Sequence, residues 1–359
     1  MNFELCKVIY TIITIDGFKY FIKCKIFVGN SKNIAFFVRH FTERGTEVAI
    51  YDYAKYNEEL LHNKSYIVCF TDEKQKQMEN KGFPTVKHSY QKFNNRFEII
   101  KINEIEQMKD VIKKYNLHFF YTMTYGGYGD IYNFSDKNIW GNCKTIKHCV
   151  FNFDGYESDY YIGIGNCLNI KYNTNYPIIP YIVDLPVCNE NMRKELNIPE
   201  DAVVFGRYGG NDEFNIIFAY EAIVEFLHTS TNRYFLFMGT RPFYNHPRII
   251  YLEKNVDLIY KSRFINTCDA MIHARTMGET FGLAVAEFSL KNKPIITTLM
   301  GDLEHITILK EKAIIYNDKN SLINIFRNIK TIKNTHEDWN AYTDYTPEKI
   351  MLKFKEIFT

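Results

Sequence analysis

The 359-residue sequence predicts an α/β protein built from two open, parallel-sheet domains. Three observations carry that expectation. Short apolar runs alternate with longer helical patterns through the C-terminal half, which is how βαβ units read in sequence. The length exceeds the roughly 100–200 residues of one ordinary domain. Between the halves, "NYPIIPYIVDLPVCNENMRKELNIPEDA" (175–202) is punctuated by prolines and loses periodicity, as an interdomain linker does.

Taken in order, "MNFELCKVIYTIITIDG" reads as a strand ending at Asp16, and it lacks the basic start of a signal peptide. "NIAFFVRHFTERG" (33–45) predicts an amphipathic helix closed by a C-terminal glycine, followed by a strand over "TEVAIYDYA" (46–54). Further strands are expected at "LHFFYTMT" (117–124) and "TIKHCVFN" (145–152), giving a Rossmann-like domain over 1–185. A second, over 186–335, opens with the strand "AVVFGR" (202–207), the loop "GGNDEFN", the helix "IIFAYEAIVEFLH" (216–228) and the strand "RYFLFMG" (233–239). The plan repeats as "DAMIHA" (269–274), "RTMGETFG", "LAVAEFSLKN" (283–292) and "KPIITT" (293–298). After "KAIIYND" (312–318) comes a polar helix. The final segment, 336–359, carries a helix at 346–358 with Thr346 as N-cap, Pro347 at its first position and a stripe of Ile350, Phe354, Ile357 and Phe358. Such a stripe must dock on something, and the N-terminal domain is the expected surface.

Composition narrows the function. A net charge of +2, with 46% hydrophobic and 24% charged residues, describes ordinary globular material. It argues against a nucleic-acid partner, which normally requires a basic excess. Eight cysteines without a C-x-x-C pair or histidines at zinc-like spacing read as reduced, buried thiols and point to a cytoplasmic location. No stretch reaches the ~18 apolar residues of a transmembrane helix.

The two βα loops of the second domain face one sheet edge, beyond the strand C-termini, where open parallel sheets bind ligands. A glycine-bearing loop leading to a helix N-terminus suits phosphate. The first loop offers Gly209 and Gly210 after Arg207; the second offers Gly278, Thr280, Phe281 and Gly282. The Arg207 guanidinium fits a diphosphate, and capping a strand end or pairing with Asp212 or Glu213 is an equal alternative. Glu279 and Glu287 lie eight apart and would repel phosphate unless they reach hydroxyls. Glu279 suits a hexose; Glu287 suits a ribose diol or, taken alone, is an exposed helix acid. His148, at the end of "KTIKH", is either structural or faces the cleft to contact a sugar or accept a proton. The G-x-G-x-x-G, G-x-x-x-x-G-K-[ST] and G-x-S-x-G patterns are missing, and with no D-x-D no metal site is expected.

The stretch "CDAMIHARTMGETFGLAVAEFSLKNKPIIT" resembles the E-x7-E segment of retaining GT-B glycosyltransferases, especially family 4. "VVFGRYGGNDEFNI" (203–216) is similar to that family's Gly-Arg strand and loop, and "RYFLFMG" to the strand after it. The resemblance implies two Rossmann-like domains whose parallel sheets face across an interdomain cleft. It also implies roles: Glu279 on the donor sugar, Glu287 on the ribose, Arg207 on the diphosphate, and His148 on the sugar from the opposite domain. The family's lysine five residues after the arginine is here Asp212, so the Gly209 and Gly210 amides, Arg275 or Lys261 would take its place. The implied reaction is metal-independent transfer, with retention, from a UDP- or GDP-sugar to a glycan, protein or lipid acceptor, using no cofactor. A nucleotide-sugar epimerase and a non-catalytic scaffold of the same fold are the alternatives.

Overall fold

A computed structural model describes residues 5–15, 18–28, 31–42, 45–79, 85–125, 134–153 and 158–357. The strands are β1 (Leu5–Ile15), β2 (Phe18–Val28), β3 (Asn33–Phe37), β4 (Lys64–Phe70), β5 (Glu98–Ile102), β6 (Phe119–Thr124), β7 (Lys144–Cys149) and β8 (Tyr160–Gly163) in the first half. In the second half they are β9 (Val203–Tyr208), β10 (Arg233–Met238), β11 (Ile249–Leu252), β12 (Ala270–Ile272), β13 (Gly278–Glu279), β14 (Ile295–Thr297), β15 (Asp302–Leu303) and β16 (Ala313–Ile315).

Two six-stranded sheets result, ordered β5-β4-β3-β6-β7-β8 and β11-β10-β9-β12-β14-β16, and every pairing within them is parallel. Parallel strands are covered on both faces and so read as continuous apolar runs. The central β6, "FFYTMT", is buried at all six positions. In each sheet the chain lays down one central strand, moves outward on one side, then returns to build the other side. The reversal falls between β3 and β6 in the first sheet and between β9 and β12 in the second. β1 and β2 form an antiparallel pair outside both sheets, and β13 and β15 make a two-residue parallel pairing, Gly278 with Asp302 and Glu279 with Leu303.

The segment 33–54 reverses the sequence expectation. Residues Asn33–Phe37 form a central strand, and the helix runs Gly45–Glu59, so the glycine expected to end a helix begins one. A short buried strand and a helix face cannot be told apart by periodicity when every residue is apolar. The helix buries Glu47, Ala49, Ile50, Tyr53, Ala54, Tyr56 and Asn57, a helical spacing rather than the alternation of a strand.

Residues 175–202 form an irregular connection with a turn at 193–197, and Tyr181, Ile182 and Val183 within it are buried. The backbone N–H of Val183 donates to the Tyr345 carbonyl at 2.9 Å. The helix Pro347–Glu356 has Thr346 as N-cap, its side chain accepting from the Lys349 amide. Phe354 lies 5.3 Å from the Tyr53 ring and 5.7 Å from that of Tyr121, which places this helix on the first sheet's helical face. Phe358 lies outside the described residues. Among those described, Cys69, Cys143, Cys149, Cys167, Cys188 and Cys268 are free thiols, and no helix is long and apolar enough to cross a membrane.

Candidate functional site

β9 and β12 are neighbours at the reversal point of the second sheet, so the loops that follow them open into one crevice. The loops are stitched together: Asn215 donates its backbone N–H to the Ala274 carbonyl, and its side-chain oxygen accepts from the Thr276 amide at 2.9 Å.

Along that edge a chain of charges runs from one loop to the other. Arg275 lies 3.3 Å from Glu213 and 3.0 Å from Glu279, and its guanidinium sits 5.7 Å from the ring centre of Phe151, beyond β7 of the first sheet. Burial acts against its charge, but the Glu279 and Glu213 carboxylates outweigh that and raise its pKa. Glu279 is also bonded through its other oxygen to His273 Nε2 at 3.2 Å. Burial alone would push the Glu279 carboxyl up; the His273 hydrogen bond and the Arg275 charge reverse this and hold it down at about 2. It is a fixed anion at neutral pH.

Arg207 is buried at the end of β9, and its bonds go to the protein itself. It donates to the Gly239 carbonyl at 3.3 Å, the Thr240 hydroxyl and the Gly210 carbonyl at 2.9 Å. Burial lowers its pKa to about 10, with Glu213 and Glu279 opposing, so it stays charged at neutral pH. Of the pairings anticipated for it, neither forms directly: Glu213 goes to Arg275, and Asp212 meets Arg241 at 2.9 Å on the surface. The Gly209 and Gly210 amides expected to face a phosphate are engaged too, with the Met238 carbonyl at 3.3 Å and Glu213 Oε2 at 3.2 Å. Neither glycine sits at a helix start, because the following helix begins only at Ile217.

The second loop shows why its glycines are needed. Gly278 has φ +63°, and a Cβ there would come within 2.2 Å of the Asp302 carbonyl oxygen. Gly282, at φ +82°, caps the helix Leu283–Leu290, whose N-terminus therefore lies at the crevice. Phe281 and Thr280 turn inward instead. The Phe281 ring packs 5.4 Å from Tyr181 and 5.1 Å from Tyr345, so it anchors the loop in the core.

Glu287 is buried on its helix rather than exposed. Its Oε1 lies 2.9 Å from Lys261 Nζ, while its Oε2 is buried without a hydrogen-bond partner. Burial pushes the Glu287 carboxyl well up and the Lys261 ammonium down to about 8. Lys261 is thus committed to Glu287 and to the face of Tyr208, 5.3 Å away, rather than standing free in place of the missing lysine.

His148 does not join this group. It is fully buried in the first sheet, with Nδ1 2.7 Å from the Tyr121 hydroxyl. Burial drives its pKa down to about 3, which makes it a poor proton acceptor at neutral pH. A strand-end histidine next to apolar residues gives no sign of which sheet face it occupies, and the interior claimed this one.

Two participants, His273 and Glu47, were not anticipated, and Glu213, expected beside Arg207, takes a different place. His273, six residues before Glu279, joins it to Thr297 at 2.9 Å and, through Thr297, to His305 at 3.0 Å. Glu213 bridges the loops. Glu47, on the helix after β3, accepts from Thr42 at 2.7 Å and Thr46 at 2.8 Å. Burial first, then the Glu47 and Glu279 carboxylates, raise the Tyr181 hydroxyl pKa. A histidine at a strand C-terminus in "MIHAR", leading into an acid-bearing loop, was the available signal for the first. A cavity of about 990 Å³ at the β8 edge, lined by residues including Tyr160, Pro177 and Lys353, contains none of these groups.

No protein-family model matches the sequence, and no curated protein matches it. Solved structures do match the fold. A glycosyltransferase from Rickettsia africae is similar with a TM-score of 0.65 at 16% identity, over 92% of this chain and 98% of that one. Anabaena HepE, in complex with UDP and glucose, is similar with a TM-score of 0.62 at 13% identity, over 91% and 99%. A putative UDP-N-acetylglucosamine 2-epimerase from Listeria monocytogenes gives 0.55 at 11%, over 91% and 97%. The two parallel six-stranded sheets match the GT-B glycosyltransferase fold of the Rickettsia and Anabaena structures.

Proposed function

We propose that the protein is a retaining, metal-independent glycosyltransferase that moves a sugar from a UDP- or GDP-sugar to a hydroxyl acceptor. The observation that carries this reading is the ionised Glu279 held between Arg275 and His273 at the edge of β9 and β12. An anion there does not suit phosphate, but it suits sugar hydroxyls and the positive charge that grows on the ring as the glycosidic bond breaks. Arg207 and Arg275 supply fixed positive charge for the departing diphosphate, and the N-terminus of the helix Leu283–Leu290 adds its dipole. The acceptor hydroxyl attacks from the face the diphosphate leaves, and a diphosphate oxygen takes its proton, which gives retention. We assign the ribose diol to Glu287, whose Oε2 is the free acceptor. Gly278 and Gly282 shape the loop, Phe281 and Thr280 anchor it, and His148 has no part. The free thiols suit a reducing, cytoplasmic setting.

The test is transfer from UDP- and GDP-sugars by wild type and Glu279→Gln, with and without EDTA. The expected result is an EDTA-insensitive product of retained configuration and a loss of about 100-fold in kcat for the variant. An inverted product, or an undiminished variant, overturns the reading. The shared fold of the Listeria epimerase supports a second reading, isomerisation of the nucleotide sugar. Donor converted to an isomeric nucleotide sugar without acceptor would favour it.

A further inference from the structure

Beneath Glu279 lies a line of buried groups that take no direct part in the transfer chemistry. They are His273, Thr297 at the end of β14, and His305 on the helix Glu304–Leu309. The hydrogen-bond directions along this line can be deduced. An ionised carboxylate only accepts, so His273 Nε2 donates to Glu279 Oε1 across 3.2 Å. In the neutral imidazole Nδ1 is then the acceptor, and it lies 2.9 Å from the Thr297 hydroxyl, which must donate to it. The Thr297 oxygen in turn accepts from His305 Nε2 at 3.0 Å. This leaves His305 Nδ1 as the bare end of the chain, and that atom is buried without a partner.

The reverse direction is worse on two counts. It would place an N–H, rather than a lone pair, at the unpartnered Nδ1, and orphaned buried donors are rarer than under-satisfied acceptors. It would also turn His273 Nε2 into an acceptor facing a carboxylate that Arg275 keeps ionised from 3.0 Å. Burial, followed by the neighbouring His273, pushes the His305 pKa down to about 3, in keeping with a neutral ring. The Tyr316 hydroxyl bonds the His273 carbonyl at 2.8 Å and steadies the strand end from which the chain starts.

We propose that Thr297 and His305 are positioning residues that lock His273 as its Nε2–H tautomer and so fix the Glu279 carboxylate towards the donor sugar. The proposal rests on the transfer reading for the role of Glu279, but the relay itself is a property of the free protein.

The experiment has two arms. In the first, the full chain labelled with 15N at histidine is examined by long-range 1H–15N NMR at neutral pH, with His273→Gln and His305→Asn identifying the two resonances. Both rings are expected as neutral Nε2–H tautomers; an Nδ1–H tautomer at either, or a charged His273, overturns the relay. In the second, Thr297→Val and Thr297→Ser are compared in sugar transfer. Thr297→Val should lower kcat about tenfold with the donor KM little changed, and Thr297→Ser should restore it. A Thr297→Val enzyme with wild-type kcat, or a Thr297→Ser enzyme as slow as Thr297→Val, overturns the positioning role. The first arm needs no substrate, so a wild type that turns over no nucleotide sugar counts against the transfer reading alone, and the tautomers still decide the relay.

Discussion

Lys261 Nζ and Glu287 Oε1 meet at 2.9 Å inside the second half of the chain, and the other Glu287 oxygen has no partner there. A buried pair of this kind contributes little over an apolar pair, but breaking it strands a charge. Lys261→Ala should therefore destabilise the protein by about 3–5 kcal/mol in urea unfolding, whereas Lys261→Met combined with Glu287→Leu should recover most of that loss. The double variant should also lose nucleotide affinity, because the oxygen assigned to the ribose is gone.

Acid should unfold the protein through groups that are hard to protonate in place. Burial is the main cause that lowers His148 and His305 to about 3, from an ordinary 6.5. Each therefore contributes stability that is complete above pH 6.5 and lost as pH falls towards 3, on the order of 5 kcal/mol at most. Glu279, held at about 2 against burial by His273 and Arg275, adds stability that is present above its ordinary 4.5 and lost below it. Asp52, raised by burial to about 6, acts in the opposite sense, so the test is a difference. Urea midpoints between pH 4.5 and 7.5 should fall less steeply with acid in His305→Asn than in wild type.

Gly165 marks where the two halves touch. A Cβ there would lie 2.2 Å from the Thr280 carbonyl oxygen and 2.9 Å from Glu304 Cγ, and Glu304 Oε2 accepts from the Cys167 amide at 2.7 Å. Gly165→Ala should cost about 1–3 kcal/mol by overpacking. Hydrogen exchange should accelerate at residues 166–172 and 279–282, while the central strands of both sheets keep their protection.

Asp212 and Arg241 form an exposed pair, with side chains 72% and 75% accessible, in the loops after β9 and β10. Such a pair is worth about 0–1 kcal/mol, so Asp212→Lys should leave Tm nearly unchanged. By exchanging a negative for a positive charge beside the crevice it should tighten UDP binding severalfold at low salt, an effect that calorimetry at rising ionic strength would show fading.

Where the sequence was legible, a local rule and a tertiary demand agreed. The β9 and β12 strands, their loops, and the helix capped by Thr346 with Pro347 all followed from periodicity and terminal signals. It misled at 33–54, where one apolar run satisfied two periods and only strand pairing with β4 and β6 decided between them. At the site, Arg207 and Glu279 follow from position and Arg275 only from what the resemblance implies, and the structure brings the three to one edge. The partners of each were not legible. Glu213 reaches Arg275 from another loop, Lys261 reaches Glu287 from 26 residues away, and Thr297 reaches His273 from the adjacent strand. Those distances in sequence are closed by sheet order, which no local window contains.

The helix Pro347–Glu356 sets a timetable for synthesis. Phe36, Tyr53 and Tyr121, which Phe354 covers, are translated long before it, and their lid leaves the ribosome only after both sheets have been made. Until then the nascent first sheet carries an open aromatic face, at the stage when folding chains are most prone to stick to one another. A stalled or prematurely terminated chain would keep that face bare, making it a natural handle for chaperone capture.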